Sequence, residues 1–181
     1  MLLRGRNFPL DNSRLNGYFW GVAGKIAKLL KQEHPFSSLE QEALLGLRMA
    51  AARLLVPWAQ FLKTTADLST SQYNVLRILR GSHPSGLTCG EIGERTVAHD
   101  PDVTRLVDRL GRRGLVRRTR SRTDRRVVQV GITQKGLDLL HELDPHAERL
   151  PRALLGHVSQ ERLRQLARLL DEVLGGMGTF P

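Results

Sequence analysis

Residues 100–126 read DPDVTRLVDRLGRRGLVRRTRSRTDRR. Asp100 is a capping residue and Pro101 suits a first helical turn, so the segment opens a helix. Val103, Leu106, Val107 and Leu110 recur at steps of three, one and three, and form its apolar face. Gly114 stops it. Leu115 to Arg120 and Val127 to Ile132 then read as two strands, joined by residues 121–126 in a loop too long for the tightest hairpin turns. From Arg105 to Arg126 there are ten arginines against two aspartates, a local charge of +8 in a chain of +10. Charge so concentrated suits a polyanionic partner.

Upstream, Ser69 and Gln72 have capping-box spacing and open a helix carrying Tyr73, Val75, Leu76, Ile78 and Leu79. Gly81 to Gly86, with Pro84, is a turn. Thr88 and Glu91 form a second box, opening a short helix over residues 88–97 with Ile92 and Val97. Helix, short helix, turn, second helix and hairpin together make a winged helix-turn-helix. In it the helix beginning at Pro101 lies in the major groove, and Arg122, Arg125 and Arg126 of the hairpin loop reach the backbone or the minor groove.

The flanks are helical. Leu15, Phe19, Val22, Ile26 and Leu29 space a seam over Asp11 to Lys31, weakened by Gly17, Gly21 and Gly24. Ser38, with Gln41 three residues on, caps a long helix from Leu39 to about Thr64, which Pro57 should kink. After the hairpin, Thr133 caps a helix through about Leu143, and Pro145 and Pro151 interrupt the chain beyond it without ending its leucine periodicity. Ser159 caps a last helix with Leu163, Leu166, Leu169, Leu170 and Val173 on one side, ended by Gly175 and Gly176. The fold class is mainly α with a small β-hairpin wing.

Composition narrows the function classes. A pI near 10.9 favours nucleic acid or an anionic surface as partner. Cys89 is the single cysteine, so no disulfide forms within the chain, which suits a reducing cytoplasm. Asp11, Lys25 and Lys28 break any apolar signal segment, and no run is long enough to span a membrane. The expected location is the cytoplasm. No Gly-rich phosphate loop or nucleophile elbow is present, so the chain reads as a non-enzyme without a cofactor. His141 and His146 flank Glu142, but a spacing of five does not share a helix face, and no metal site is assigned.

The segment LTCGEIGERTVAHDPDVTRLVDRLGRRGLVRRTRSRTDRRVVQVGITQKG, residues 87–136, resembles the MarR family of bacterial transcriptional regulators. VTRLVDRLGRRGLVRR, the Asp124-Arg125-Arg126 wing motif and the ITQKG join carry the likeness, which extends in helix order from about Leu39 to Val173. It implies a homodimeric repressor on a pseudo-palindromic double-stranded DNA operator, with half-sites about 34–36 Å apart. The implied contacts are Thr88, Asp102, Thr104, Arg105, Arg109 and Arg112 from the helices, and Arg122, Arg125 and Arg126 from the wing, with Asp124 as its brace. Arg105 reads bases or phosphates, and Arg126 enters the minor groove. Asp102 departs from the family pattern, where a small serine is frequent.

On the same resemblance, residues 1–37 are an extension with one extra helix, 38–66 and 134–181 a helical dimerisation region, and 67–133 the DNA-binding lobe. The terminal leucine seams support the dimer, because one subunit could hardly bury them all. A small aromatic or phenolic ligand is implied between dimer helices and lobe, near Trp20, Trp58, Phe61, Tyr73 and Arg77, although those aromatics also suit a core. Asn74 stands where the urate-responsive branch has an aspartate, which argues against urate. Two alternatives remain: a winged-helix module that holds a protein and no DNA, and a regulator switched by oxidation of Cys89.

Overall fold

The computed structural model describes residues 24–96, 102–120 and 127–176. Among them run α1 (Lys25–Leu29), α2 (Leu39–Ala66), α3 (Thr70–Gly81), α4 (Cys89–Glu94), α5 (Val103–Arg112), β1 (Val116–Arg120), β2 (Val128–Ile132), α6 (Gln134–Leu155) and α7 (Gln160–Gly175). The chain divides into two compact units, residues 1–52 and 53–181. In the first, α1 lies close to α2. A Cβ on Gly46 would stand 2.8 Å from Ile26 Cδ1, so a side chain there would have to move the end of Ile26.

The second unit holds the main core. Leu62, Leu68, Val75, Leu76, Leu79, Ile92, Val107, Leu110, Leu115, Val130, Leu140 and Leu143 are fully buried. They come from α2, α3, α4, α5, β2 and α6 and from the joins at Leu68 and Leu115, so one cluster holds the helix-turn-helix and the wing base together. The strands pair antiparallel, Val116 opposite Ile132 through Arg120 opposite Val128.

Local capping chemistry sets most helix starts. Ser69 Oγ accepts the Gln72 N–H at 3.2 Å, and the Gln72 side chain accepts the Ser69 N–H at 2.9 Å. Thr133 and Ser159 cap α6 and α7 as their positions in the sequence suggested. At α2 the box is displaced: Ser38 Oγ accepts the Gln41 N–H, but the Gln41 carbonyl reaches Ser37 instead.

Several boundaries differ from expectation. The helix α2 continues through Pro57 and ends at Ala66, beyond Thr64. The helix α6 continues through Pro145 and Pro151 to Leu155, well past Leu143. All three prolines are exposed, so water can take the carbonyls their missing N–H groups leave. The supporting helix α4 stops at Glu94, short of residue 97. Of the helix expected over residues 11–31, α1 is the described part, and residues 1–23 lie outside the described residues.

Candidate nucleic-acid interface

The helix α5 does not take its cap from Asp100. Its N-cap is Asp102, whose Oδ1 accepts the Arg105 N–H at 3.3 Å, and the helix starts at Val103. Asp100 and Pro101 lie outside the described residues. Two acidic residues two positions apart offered the same capping chemistry, and the choice between them fixes where the first turn begins. From this start, Val103, Leu106, Val107 and Leu110 are buried. Thr104, Arg105, Asp108, Arg109 and Arg112 share the exposed face.

The far end of α5 closes in a Schellman turn. Gly114 takes φ +71, the left-handed region that disfavours a side chain. The Leu115 N–H reaches Leu110 O at 3.0 Å, and the Gly114 N–H reaches Gly111 O at 2.9 Å. Thr133 Oγ1 donates to Gly114 O, and Lys135 Nζ to Arg113 O. The last turn of α5 is thereby tied to the start of α6.

The wing base is tied to the helix-turn-helix by a bridge absent from the sequence reading. Leu87 and Val130 exchange two backbone hydrogen bonds, at 2.9 and 2.7 Å. Gly86 permits it, with φ +75 and a Cβ position only 2.8 Å from Val130 O.

Not every arginine of the basic segment faces outward unpaired. Arg118 Nη1 meets Asp108 Oδ1 at 2.7 Å, joining β1 to α5. Arg113 is structural: its Nη1 donates to Asp67 O at 2.9 Å and its Nη2 to Ala66 O at 2.8 Å, satisfying carbonyls at the end of α2. Arg105 Nε pairs with Asp102 Oδ2 at 3.1 Å. Arg109 and Arg112 are exposed and make no ion pair among the described residues. Thr88 is held inside its capping box, its N–H donating to Glu91 Oε2 at 2.7 Å and its Oγ1 accepting the Glu91 N–H at 3.2 Å. Bonds from the Thr88 N–H and hydroxyl hold the Glu91 carboxyl below its usual value. Arg122, Asp124, Arg125 and Arg126 of the wing loop, and Trp20, lie outside the described residues.

The structure does bring Trp58, Phe61, Tyr73 and Arg77 together. Trp58 stacks on Phe61 at 5.3 Å and meets Tyr73 edge-on at 4.9 Å, with the Arg77 guanidinium 6.0 Å from the Tyr73 ring centre. Burial raises the Tyr73 phenol above its usual value. His146 of α6 completes the group, stacked on Phe61 at 4.1 Å. The sequence shows His146 only beside His141 and Glu142, and nothing in its spacing links it to a ring 85 positions earlier. Cys89 is half-buried against the core. No group of three or more metal-ligating side chains occurs among the described residues.

A family model for the MarR family matches residues 66–127. A crystal structure of a MarR transcription factor from Planctomyces limnophilus is 41% identical, with a TM-score of 0.57, over 76% of this chain and 98% of that one. The chain belongs to the MarR family. Among MarR-family relatives it is similar to the HTH-type transcriptional regulator MhqR of Bacillus subtilis. That likeness is 30% identity over 59% of this chain and 72% of MhqR. It is also 25% identical to Bordetella bronchiseptica BpsR, with a TM-score of 0.61, over 70% of this chain and 94% of BpsR. The BpsR structure concerns regulation of its DNA binding by 6-hydroxynicotinic acid. The chain is thus a MarR-type transcriptional regulator with the winged-helix fold of that family. Among the described residues no helix is long and apolar enough to cross a membrane.

Proposed function

We propose that this MarR-family regulator binds a pseudo-palindromic double-stranded DNA operator as a homodimeric repressor and leaves it when a small aromatic acid binds. The role is binding and regulation, not catalysis. One observation carries the DNA reading: α5 buries one apolar face and exposes Thr104, Arg105, Arg109 and Arg112 along the other. A helix so held presents its basic face to a major groove. Asp102 and Thr88, the N-cap residues of α5 and α4, belong to the same contact set in this reading. Arg122, Arg125 and Arg126 complete the contact set from the wing, with Asp124 bracing it. Residues 67–133 form the DNA-binding lobe in this reading.

Residues 38–66 and 134–181 supply the dimer. The 16-residue helix α7 has no buried residue, and Leu169 and Leu174 are 50% and 66% exposed, so much of its apolar side is left uncovered among the described residues. The effector reading rests on the cluster of Trp58, Phe61, Tyr73, Arg77 and His146, which offers stacking surfaces beside a cation for a carboxylate.

Anisotropy titration of labelled duplexes, chosen first from DNA flanking the gene, tests the reading. Affinity is expected to fall steeply with salt as counterions are recaptured. Arg126→Ala is expected to weaken operator binding by about 1–3 kcal/mol with the fold intact. Absence of binding to any duplex, or a flat salt response, would favour a protein-interaction module instead.

A further inference from the structure

Both oxygens of the Asp102 carboxylate meet Arg105. Its Oδ1 caps α5 through the Arg105 N–H, and its Oδ2 holds the Nε of the same residue's guanidinium at 3.1 Å. The Arg105 backbone fixes the carboxylate, and the carboxylate then fixes the Arg105 side chain. The Arg105 side chain is 77% exposed with this pair in place, and the pair is its one ionic contact among the described residues.

A guanidinium offers two paired-donor edges, one through Nε and one through its two Nη groups. Pairing at Nε leaves the Nη edge for a base. That edge matches O6 and N7 of guanine, the pair of acceptors a major groove presents to arginine. A long flexible side chain loses rotamer entropy when it docks on a base, and an anchored one loses less. In the DNA-binding reading the same carboxylate, at the N-terminus of α5, repels phosphates brought near it. Such repulsion would weaken binding to every duplex alike, and a better-held Arg105 would repay it only where its base is present.

We propose that Asp102 is a specificity-determining positioning residue: it holds Arg105 to read a guanine in each half-site and lowers affinity for non-cognate duplex. This rests on the DNA-binding reading above. Neither residue needs a conformational change to take the role, because the pair is already formed in the protein alone.

The test is selection from a randomised 30-base-pair duplex library by the full chain and by Arg105→Ala, Asp102→Ser and Asp102→Asn. Serine and asparagine both keep an N-cap, so α5 keeps its start. The base position whose preference vanishes in Arg105→Ala marks what Arg105 reads. Asp102→Ser is expected to reduce the guanine preference at that position about tenfold, to leave other positions unchanged, and to raise affinity for non-cognate duplex severalfold. Asp102→Asn, which keeps the cap through its single amide oxygen and sets an NH2 donor where Oδ2 met Nε, should lose the preference as Asp102→Ser does.

A purely structural cap would lower all positions together, with a lower melting temperature, and would overturn the proposal. Unchanged preference at the Arg105 position in Asp102→Ser also overturns it. So does loss of preference at a different position only, which would make Asp102 itself a reader of cytosine N4. Failure of the unaltered chain to enrich any duplex overturns the DNA-binding reading, and this proposal with it.

Discussion

Replacing Arg113 with alanine removes two guanidinium hydrogen bonds, to Asp67 O at 2.9 Å and Ala66 O at 2.8 Å. Each is charge-assisted and ends on a carbonyl that α2 cannot satisfy internally. Hydrogen bonds to charged groups are worth about 1.5–3 kcal/mol when water cannot replace them. Here replacement is partial. Asp67 is exposed and its carbonyl rehydrates at little cost, whereas Ala66 is buried at 7% exposure. One bond is therefore mostly recovered from water and the other mostly lost, which gives about 2 kcal/mol for Arg113→Ala. In a chain of this size that lowers the melting temperature by about 4–8 °C. Urea denaturation followed by circular dichroism, at matched protein concentrations, measures it, because assembly would make stability concentration-dependent. Arg113→Lys should recover part of the loss by donating to one carbonyl. Arg113→Met keeps the apolar stem and should not. A loss below about 0.5 kcal/mol in Arg113→Ala would place that residue with ordinary surface positions and refute the assignment.

The same geometry predicts the outcome of other perturbations. Gly136→Ala directs a Cβ at Leu115 O and to 2.7 Å from Ile132 Cγ1, so it should destabilise by about 1–3 kcal/mol, read as a lower urea midpoint. Glu91 has a carboxyl held low by Thr88, so its capping box contributes stability fully above the unfolded carboxylate pKa and loses it as pH falls through the lower folded value. Glu91→Gln should therefore remove part of the acid-side slope of stability against pH, and an unchanged slope would contradict it. Leu169→Asp places a charge on the exposed apolar side of α7 and should yield monomers in sedimentation velocity, with the helical circular dichroism of the lobe retained.

What the sequence determined by itself was local. The capping pairs Ser69 with Gln72 and Thr88 with Glu91 are three residues apart, so their chemistry is complete within one turn of helix. Gly114 marked its own helix end because the closing turn needs a left-handed residue. The two strands showed as short runs of β-forming residues, with starts within one position of those observed. The basic, outward face of α5 came from the spacing of Val103, Leu106, Val107 and Leu110.

Tertiary structure decided which partners those residues take. Arg113 looked like one more cation on a basic helix, and only folding brings it to carbonyls 46 and 47 positions earlier. Arg118 is bound to Asp108 across a strand and a helix, and Arg80 to Asp144 at 2.8 Å across 64 positions. The Leu87 to Val130 bridge and the stacking of His146 on Phe61 are of the same kind. Side-chain type announces that a guanidinium or a ring wants a partner. Which one it meets depends on how several elements pack at once, and no spacing along the chain encodes that. The N-cap of α5 lies between these cases. Asp100 and Asp102 have equal local chemistry, and a choice by type alone cannot separate them. The start at Val103 goes with Asp102, whose carboxylate then both caps the helix and holds Arg105.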